Sequence, residues 1–211
     1  MVDAIFNSLL VGSSGYALSL VTPGEHPFIF TACAVGLCHG ILGLYGNIVE
    51  GSSNSQRANE TPIADDSWIC KTQNLTQSCI DIITVPLINI DLYMQSQQSS
   101  ALALGHGLFV IPLAFDLSFK VFDTAEGDGN ATETLKELTV LGNIVSLVFL
   151  SVNENNLPYG LMAMSALLAE YGSSAMENML RGSGANIALM GYSLFFSLIP
   201  EAIGKGGHFN A

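Results

Sequence analysis

Residues 27–49 read PFIFTACAVGLCHGILGLYGNIV, and this stretch decides the fold class. It holds no charged side chain apart from one histidine. An α-helix rises about 1.5 Å per residue, so about 20 mostly apolar residues are enough to cross the hydrocarbon core of a bilayer. An apolar run of this length predicts a transmembrane helix.

Similar apolar blocks recur along the chain and are separated by short polar connectors. We predict an all-α integral membrane protein, a single membrane domain over residues 1–211 with about six transmembrane helices, within a range of roughly five to seven. The predicted spans are 4–22, 27–49, 78–95, 100–121, 138–153, 158–180 and 184–203. The two polar loops are predicted at 50–77 and 122–135.

The composition agrees with a chain that has lipid as its solvent. Charged residues make up 11% of the chain, against about 25% in ordinary soluble domains, and the mean hydropathy is +0.45. The formal net charge is −12. Nucleic acid is therefore excluded as a partner, because phosphate binding needs clustered Lys or Arg. The expected partners are the lipid bilayer and other membrane protein subunits.

Residues 78–95, SCIDIITVPLINIDLYMQ, form an ambiguous segment. They contain Asp81, Asn89 and Asp91, and Pro86 lies at their centre. Residues 87–92 alternate apolar and polar, which favours a strand or an interfacial segment over a lipid-facing helix. If the segment does cross, both polar loops lie on one side of the membrane.

Two opposing signals bear on which side that is. Most basic residues fall in or beside these loops, and the positive-inside rule would place them in the cytoplasm. Three N-x-S/T sequons, at Asn59, Asn74 and Asn130, would instead be glycosylated on the lumenal side, where Cys70 and Cys79 could form a disulfide. We favour lumenal or extracellular loops in the plasma membrane or an endomembrane, with the mitochondrial inner membrane as the alternative.

Small residues follow helical spacing on several predicted spans. The helix-packing candidates are Ala32, Gly36, Gly40, Gly43, Gly12 and Gly107. Small residues let helix backbones approach closely in a membrane, where close packing replaces the missing hydrophobic drive. The pattern predicts either tight packing within this bundle or a docking face for another membrane subunit.

Four ionisable residues are predicted inside the spans, namely His39, His106, Asp116 and Glu170. Ionisable side chains are costly in lipid, so they indicate either a functional site or an inward-facing hydrogen bond. Glu170 lies deepest of the carboxylates. A neutral imidazole can also ligate haem iron, so His39 and His106 on separate helices could hold a b-type haem.

The chain contains no Walker loop, HExxH, GxSxG or dinucleotide-binding fingerprint, so we predict no catalytic residues and lean against an enzyme. The first hypothesis is a non-catalytic, multi-pass subunit or accessory protein of a larger membrane assembly, based on the small-residue faces. One alternative is a small transporter or channel that uses intramembrane carboxylates. The other is a b-type haem-bearing membrane anchor for electron transfer, and no other cofactor or metal is predicted.

Overall fold

The computed structural model describes residues 2–56, 65–96, 100–108, 111 and 129–204. Helix α1 is Val2–Leu20, α2 is Pro27–Gln56 and α3 is Asp65–Gln95. A 3-10 turn, Ser100–Leu102, leads into helical residues 103–108, and the two together are named α4. Helix α5 is Gly129–Asn153, α6 is Leu157–Leu167, α7 is Ser173–Met179 and α8 is Gly184–Gly204. A π-helical turn, Leu168–Gly172, joins α6 to α7.

Four of these helices are long and apolar enough to cross a membrane. The apolar stretches are Pro27–Val49, Lys71–Gln95, Thr134–Asn153 and Gly184–Gly204. No β-strand occurs in the described part of the chain. The all-helical class predicted from the sequence is therefore confirmed over those residues.

Residues 87–92 belong to the long helix α3, so the expectation of a strand is wrong. Asn89 and Asp91 are only 0% and 2% exposed. Asn89 Nδ2 donates to the Asn143 carbonyl oxygen at 2.8 Å, and Asp91 Oδ2 accepts from the Ile29 backbone N–H at 2.6 Å. The alternating pattern misled because these polar side chains point at neighbouring helices and not at lipid.

Helical structure also covers much of what the hydropathy pattern assigns to loops. Helix α2 continues to Gln56 and α3 begins at Asp65, so most of 50–77 is helical. Helix α5 begins at Gly129, inside the predicted loop 122–135. Residues 57–64 and 112–128 lie outside the described residues.

Contacts between the helices fix their relative directions. Gly40 and Gly43 of α2 pack on Val11 and Asn7 of α1 in reverse order, so α1 and α2 are antiparallel. The starts of α1 and α8 lie together, because Asn186 Nδ2 donates to Asp3 Oδ1 at 2.9 Å. We call this end of the molecule the N-terminal end of the bundle.

Helices α3 and α5 run parallel to each other. Along α3, Asp81 contacts Lys136 of α5 and Asn89 contacts Asn143. Tyr93, further along α3, contacts Ser146, which is further along α5. Two parallel helices cannot be joined by a short turn. The end of α3 and the start of α5 therefore lie towards opposite ends of the bundle.

The bundle is apolar on much of its outside and polar at many points inside. Large apolar side chains are exposed on several helices, among them Ile5, Leu9, Val145, Phe149 and Met164. Buried polar side chains include Ser14, Thr84, Asn89, Asn143 and Ser193. Soluble domains rarely expose extended apolar surface. This inverted distribution is the one expected where lipid surrounds the protein and every interior polar group needs a protein partner.

The small residues of α2 face other helices of the same chain. A Cβ at Gly36 would lie 2.6 Å from the Phe196 ring of α8, and one at Gly40 would lie 2.8 Å from Val11 Cγ2 of α1. Gly43 packs against the Asn7 side chain, and Ala32 is buried. The other two candidates differ: a Cβ at Gly107 would make ordinary contact with Ile90, and one at Gly12 would meet nothing within 4 Å.

Candidate functional site

A network of charged and polar side chains lies inside the bundle where four helical segments meet. Lys136 Nζ of α5 forms an ion pair with Asp81 Oδ2 of α3 at 2.9 Å. Asp81 Oδ1 accepts a hydrogen bond from Gln77 Nε2 at 2.6 Å and lies 3.3 Å from the Tyr192 hydroxyl of α8. The same hydroxyl is hydrogen-bonded to Glu170 in the π turn. We call Asp81, Lys136, Tyr192 and Glu170 the charge network.

A glycine allows α8 to bring Tyr192 against the π turn. Tyr192 lies about 12 Å along α8 from its first residue, Gly184, and is 1% exposed. A Cβ at the preceding Gly191 would lie 2.6 Å from the backbone nitrogen of Ala169. Because Ala169 directly precedes Glu170, the missing side chain at Gly191 places the carboxyl and the phenol side by side.

The π turn Leu168–Gly172 positions Glu170 itself. Single π turns inside α-helices are rare and are frequent at functional sites. The hydroxyls of Ser173 and Ser174 both donate to the Glu170 carbonyl oxygen, at 2.8 and 3.4 Å. These two hydroxyls are additional hydrogen-bond donors to a backbone oxygen of the irregular turn. They therefore help to stabilise the conformation of the π turn at Glu170.

The charge network contains two carboxyl groups and one ammonium group. The side chains of Lys136 and Asp81 are 31% and 18% exposed, so the ion pair lies at a partly open position. Charges interact strongly where the surroundings are apolar, and an unpaired buried charge is costly. Removal of any one of these side chains should therefore change the electrostatic energy of the others.

An open cleft of about 860 Å³ leads towards the network from the N-terminal end of the bundle. Its polar lining includes Asp3, Asn7, Gln73, Gln77 and Asn186, and none of the described lining residues is Lys or Arg. Gln77 both lines the cleft and donates to Asp81. The charge network thus lies directly behind the cleft wall.

Two acidic side chains at the cleft mouth already have partners. Glu177 accepts hydrogen bonds from the backbone N–H groups of Gly182 and Gly184, at 2.9 to 3.0 Å, and so caps the start of α8. Asp3 accepts from Asn186. Both carboxyl groups belong to the cleft lining, and Arg181 lies near enough to Glu177 to attract its carboxylate.

His39 lies in the cleft wall and is buried, with Nδ1 2.8 Å from the Thr76 hydroxyl of α3. His106 belongs to a separate polar cluster. Its Nδ1 is 2.7 Å from Asn143 Oδ1, its Nε2 is 3.1 Å from the Ser146 hydroxyl, and its ring packs 4.8 Å from that of Tyr93. Both ring nitrogens of His106 are therefore engaged in hydrogen bonds.

The geometry opposes a haem shared by the two histidines. His39 packs at Thr76 and His106 packs at Tyr93, and these positions are about 26 Å apart along α3. One iron cannot be ligated by side chains so far apart. Among the described residues, no group of three or more His, Cys, Asp or Glu could hold a metal ion.

The structure gives no support to the Cys70–Cys79 disulfide, and Cys79 is a free thiol. Both residues lie on α3, about 13 Å apart by helical rise. A disulfide needs Cα atoms within about 7 Å of each other. The sequence spacing misled because a C-x8-C ring can close in a loop but not along a continuous helix.

The remaining predicted residues lie apart from the charge network. Asn74 is exposed on α3 and lines the cleft, so a glycan there would stand at the cleft mouth. Asn59, Asp116 and the side chain of Asn130 lie outside the described residues.

Sequence reasoning singled out Glu170 and missed what it contacts. In the sequence, Asp81 bears only on whether residues 78–95 cross the membrane. Lys136 lies between a predicted loop and a predicted span, and Tyr192 lies in an apolar block. The one signal that the sequence offered for Lys136 was its position two residues before an apolar run.

Taken together, the fold and the site define a class: a helical bundle, apolar outside, with a partly buried ion pair behind an open polar cleft. The chain belongs to the family described as "Domain of unknown function (DUF4791)", whose family model matches residues 23–203. No curated protein matches the chain. No solved structure matches it either.

Proposed function

We propose that this chain is a multi-pass membrane transporter of a small cation, with the charge network as its functional centre. The observation that supports this most is the network itself, in which Asp81, Lys136, Tyr192 and Glu170 connect four helical segments behind the cleft. Ionisable groups inside a membrane bundle are costly, and they commonly mark ion pathways and proton relays.

The proposal includes a membrane topology. Helices α1, α2, α3, α5 and α8 would each cross once, and α6 with α7 would cross as one helix interrupted by the π turn. The parallel direction of α3 and α5 requires a further return between them. The chain would then cross about seven times, at the upper limit of the range predicted from the sequence. We propose a plasma membrane or endomembrane location.

The choice of a cation follows from the cleft. Asp3 and Glu177 lie at its mouth, Gln77 links its wall to Asp81, and Lys or Arg is absent from its described lining. A cleft lined by one sign of charge raises the local concentration of the opposite ion. Amide oxygens of the lining asparagines and glutamines can also accept the hydrogen bonds of a hydrated or protonated solute.

The accessory-subunit hypothesis loses its main support. It rested on the small-residue stripe of α2 as a docking face. Gly36, Gly40 and Gly43 instead pack against α8 and α1 of the same chain. The transporter hypothesis is therefore the one that the geometry favours.

Flux measurements on the purified protein in liposomes test the proposal. Na⁺, K⁺ and H⁺ gradients are imposed in turn, and ion entry is followed with encapsulated fluorescent dyes. We expect entry of at least one of these cations, reduced about tenfold or more by Asp81→Asn or Glu170→Gln. Glu137→Gln is the matched control, because Glu137 is an exposed carboxyl next to Lys136. Rates equal to those of protein-free liposomes for all three cations would contradict the proposal.

A further inference from the structure

We propose that the charge network binds one exchangeable proton, shared between Glu170 and Asp81 through the hydroxyl of Tyr192. The inference rests on the proposed transport function and deepens it, because it names the proton as the coupling ion.

The geometry places one O–H group between two carboxyl groups. The Tyr192 hydroxyl is hydrogen-bonded to Glu170 Oε1 and lies 3.3 Å from Asp81 Oδ1. A phenol donates a single hydrogen bond, and an ionised carboxylate can only accept. Both contacts are hydrogen bonds only if one carboxyl group carries a proton and donates it to the phenol oxygen.

The surroundings indicate which carboxyl holds the proton. Asp81 accepts from the Lys136 ammonium at 2.9 Å and from the Gln77 amide at 2.6 Å, and both contacts favour its ionised form. The Glu170 carboxyl is hydrogen-bonded to the Tyr192 hydroxyl, whereas the ion pair of Lys136 is formed with Asp81. Glu170 is therefore the donor to Tyr192, and Tyr192 is the donor to Asp81.

This arrangement also makes the network electrically neutral. Protonated Glu170 and the phenol carry no charge, and the Asp81 carboxylate balances Lys136. With both carboxyls ionised the group would carry a net negative charge in an apolar interior, which is costly. Tyr192 is 1% exposed, so water does not compete with the carboxyls for its single hydrogen.

Proton transfer along this chain is balanced. The O–H bond of Glu170 breaks as its proton moves to the Tyr192 oxygen, and the original Tyr192 proton moves to Asp81 Oδ1. Glu170 becomes a carboxylate and Asp81 becomes a neutral acid. A neutral Asp81 attracts Lys136 less, so the transfer weakens the ion pair that links α3 to α5. Proton movement is thereby coupled to the packing of two helices.

Other titratable groups lie near the pair on several of the packed helices. Those near Asp81 or Glu170 are His39 of α2, Cys79 of α3, Lys136 of α5 and Tyr171 of the π turn, and Glu137 of α5 lies near Tyr171. Among these described groups Lys136 is the one that is cationic at neutral pH. A single ammonium cannot balance two carboxylates, which again favours retention of one proton.

Infrared spectroscopy of the purified protein in lipid nanodiscs tests the proton site directly. A protonated carboxylic acid has a C=O stretch well separated from the bands of a carboxylate. We expect such a band at neutral pH in the wild-type protein. It should disappear in Glu170→Gln and shift in frequency in Tyr192→Phe, which removes only the hydroxyl.

Two matched variants serve as controls. Glu137→Gln removes an exposed carboxyl nearby and should retain the band, and Tyr93→Phe removes a phenol that is bonded to Ser146 and should not shift it. The amide bands of the same spectra report whether each variant is folded. A wild-type spectrum without a protonated carboxyl, or a band that survives in folded Glu170→Gln, would overturn the proposal.

The result separates the two proposals. A band that depends on Glu170, in a protein that moves no cation into liposomes, would establish the proton site and refute transport. Cation entry in a protein without the band would establish transport and refute the proton site.

Discussion

The Asp91 carboxylate stabilises a helix to which it does not belong. The first backbone N–H groups of any helix lack partners within that helix. In α2 the Ile29 N–H donates to Asp91 Oδ2 of α3 at 2.6 Å, and Pro27 has no N–H to satisfy. A negative charge is also favourable at a helix N-terminus. An acidic residue that looks unsuited to a membrane span thus has a structural role.

Replacement of this carboxyl tests that role. We expect Asp91→Ala to lower the free energy of unfolding by about 1–3 kcal/mol, because it leaves a buried backbone donor without its partner. Unfolding in detergent micelles, followed by circular dichroism, measures the change. Glu137→Ala, at an exposed position, should change the stability little. Equal stabilities of Asp91→Ala and the wild type would show that the Ile29 N–H has another partner.

Residue chemistry alone singled out Glu170 as an ionisable residue within a predicted span but could not identify its partners. Asp81 and Tyr192 are separated from Glu170 by long stretches of sequence, and the hydrogen bonds between them depend on how α3 and α8 pack. The π turn left no signal in the sequence, because its residues are ordinary helix formers. Deep intramembrane charges can be found from the sequence, whereas the network that neutralises them requires the fold.

At the scale of helices, identical small residues have different roles. Gly40 and Gly12 have similar sequence surroundings and both fit a small-residue spacing. Gly40 lies against Val11 and Asn7 of α1, whereas Gly12 is exposed with nothing near it. Spacing predicts that a face can pack closely. It does not predict which glycine is used, because that depends on the angle at which two helices cross.

This difference gives a paired test. A Cβ at Gly40 would lie 3.2 Å from the Val11 backbone nitrogen and 3.3 Å from the Asn7 carbonyl oxygen, so Gly40→Ala must push α1 and α2 apart. We expect a loss of about 1–3 kcal/mol in unfolding free energy in micelles. Gly12→Ala should be neutral or stabilising by up to about 1 kcal/mol, because alanine is the better helix former. A similar effect of both substitutions would mean that Gly40 does not lie at a close contact.

For the whole molecule, the hydropathy pattern located the apolar helices because a bilayer leaves few alternatives to a helix of about 20 apolar residues. The pattern was least informative for α3, whose buried Asn89 and Asp91 lower its hydropathy although they never meet lipid. Hydropathy averages over all faces of a helix. Mean hydropathy is therefore least reliable for a transmembrane helix whose polar side chains face the interior of the bundle.

The directions of the helices predict which connecting segments lie on the same side of the membrane. Cysteines are introduced singly at Glu25, Asn74, Asn155 and Gly182, all exposed, in a protein whose four native cysteines have been replaced. A membrane-impermeant maleimide is then applied from either side. Positions 25 and 155 should react from one side and positions 74 and 182 from the other. In the proposed topology the chain crosses the membrane an even number of times between the two positions of each pair, because it crosses back once between α3 and α5. Reaction of 25 and 155 from opposite sides would mean that the chain does not cross back between these two parallel helices, and the proposed topology would be wrong.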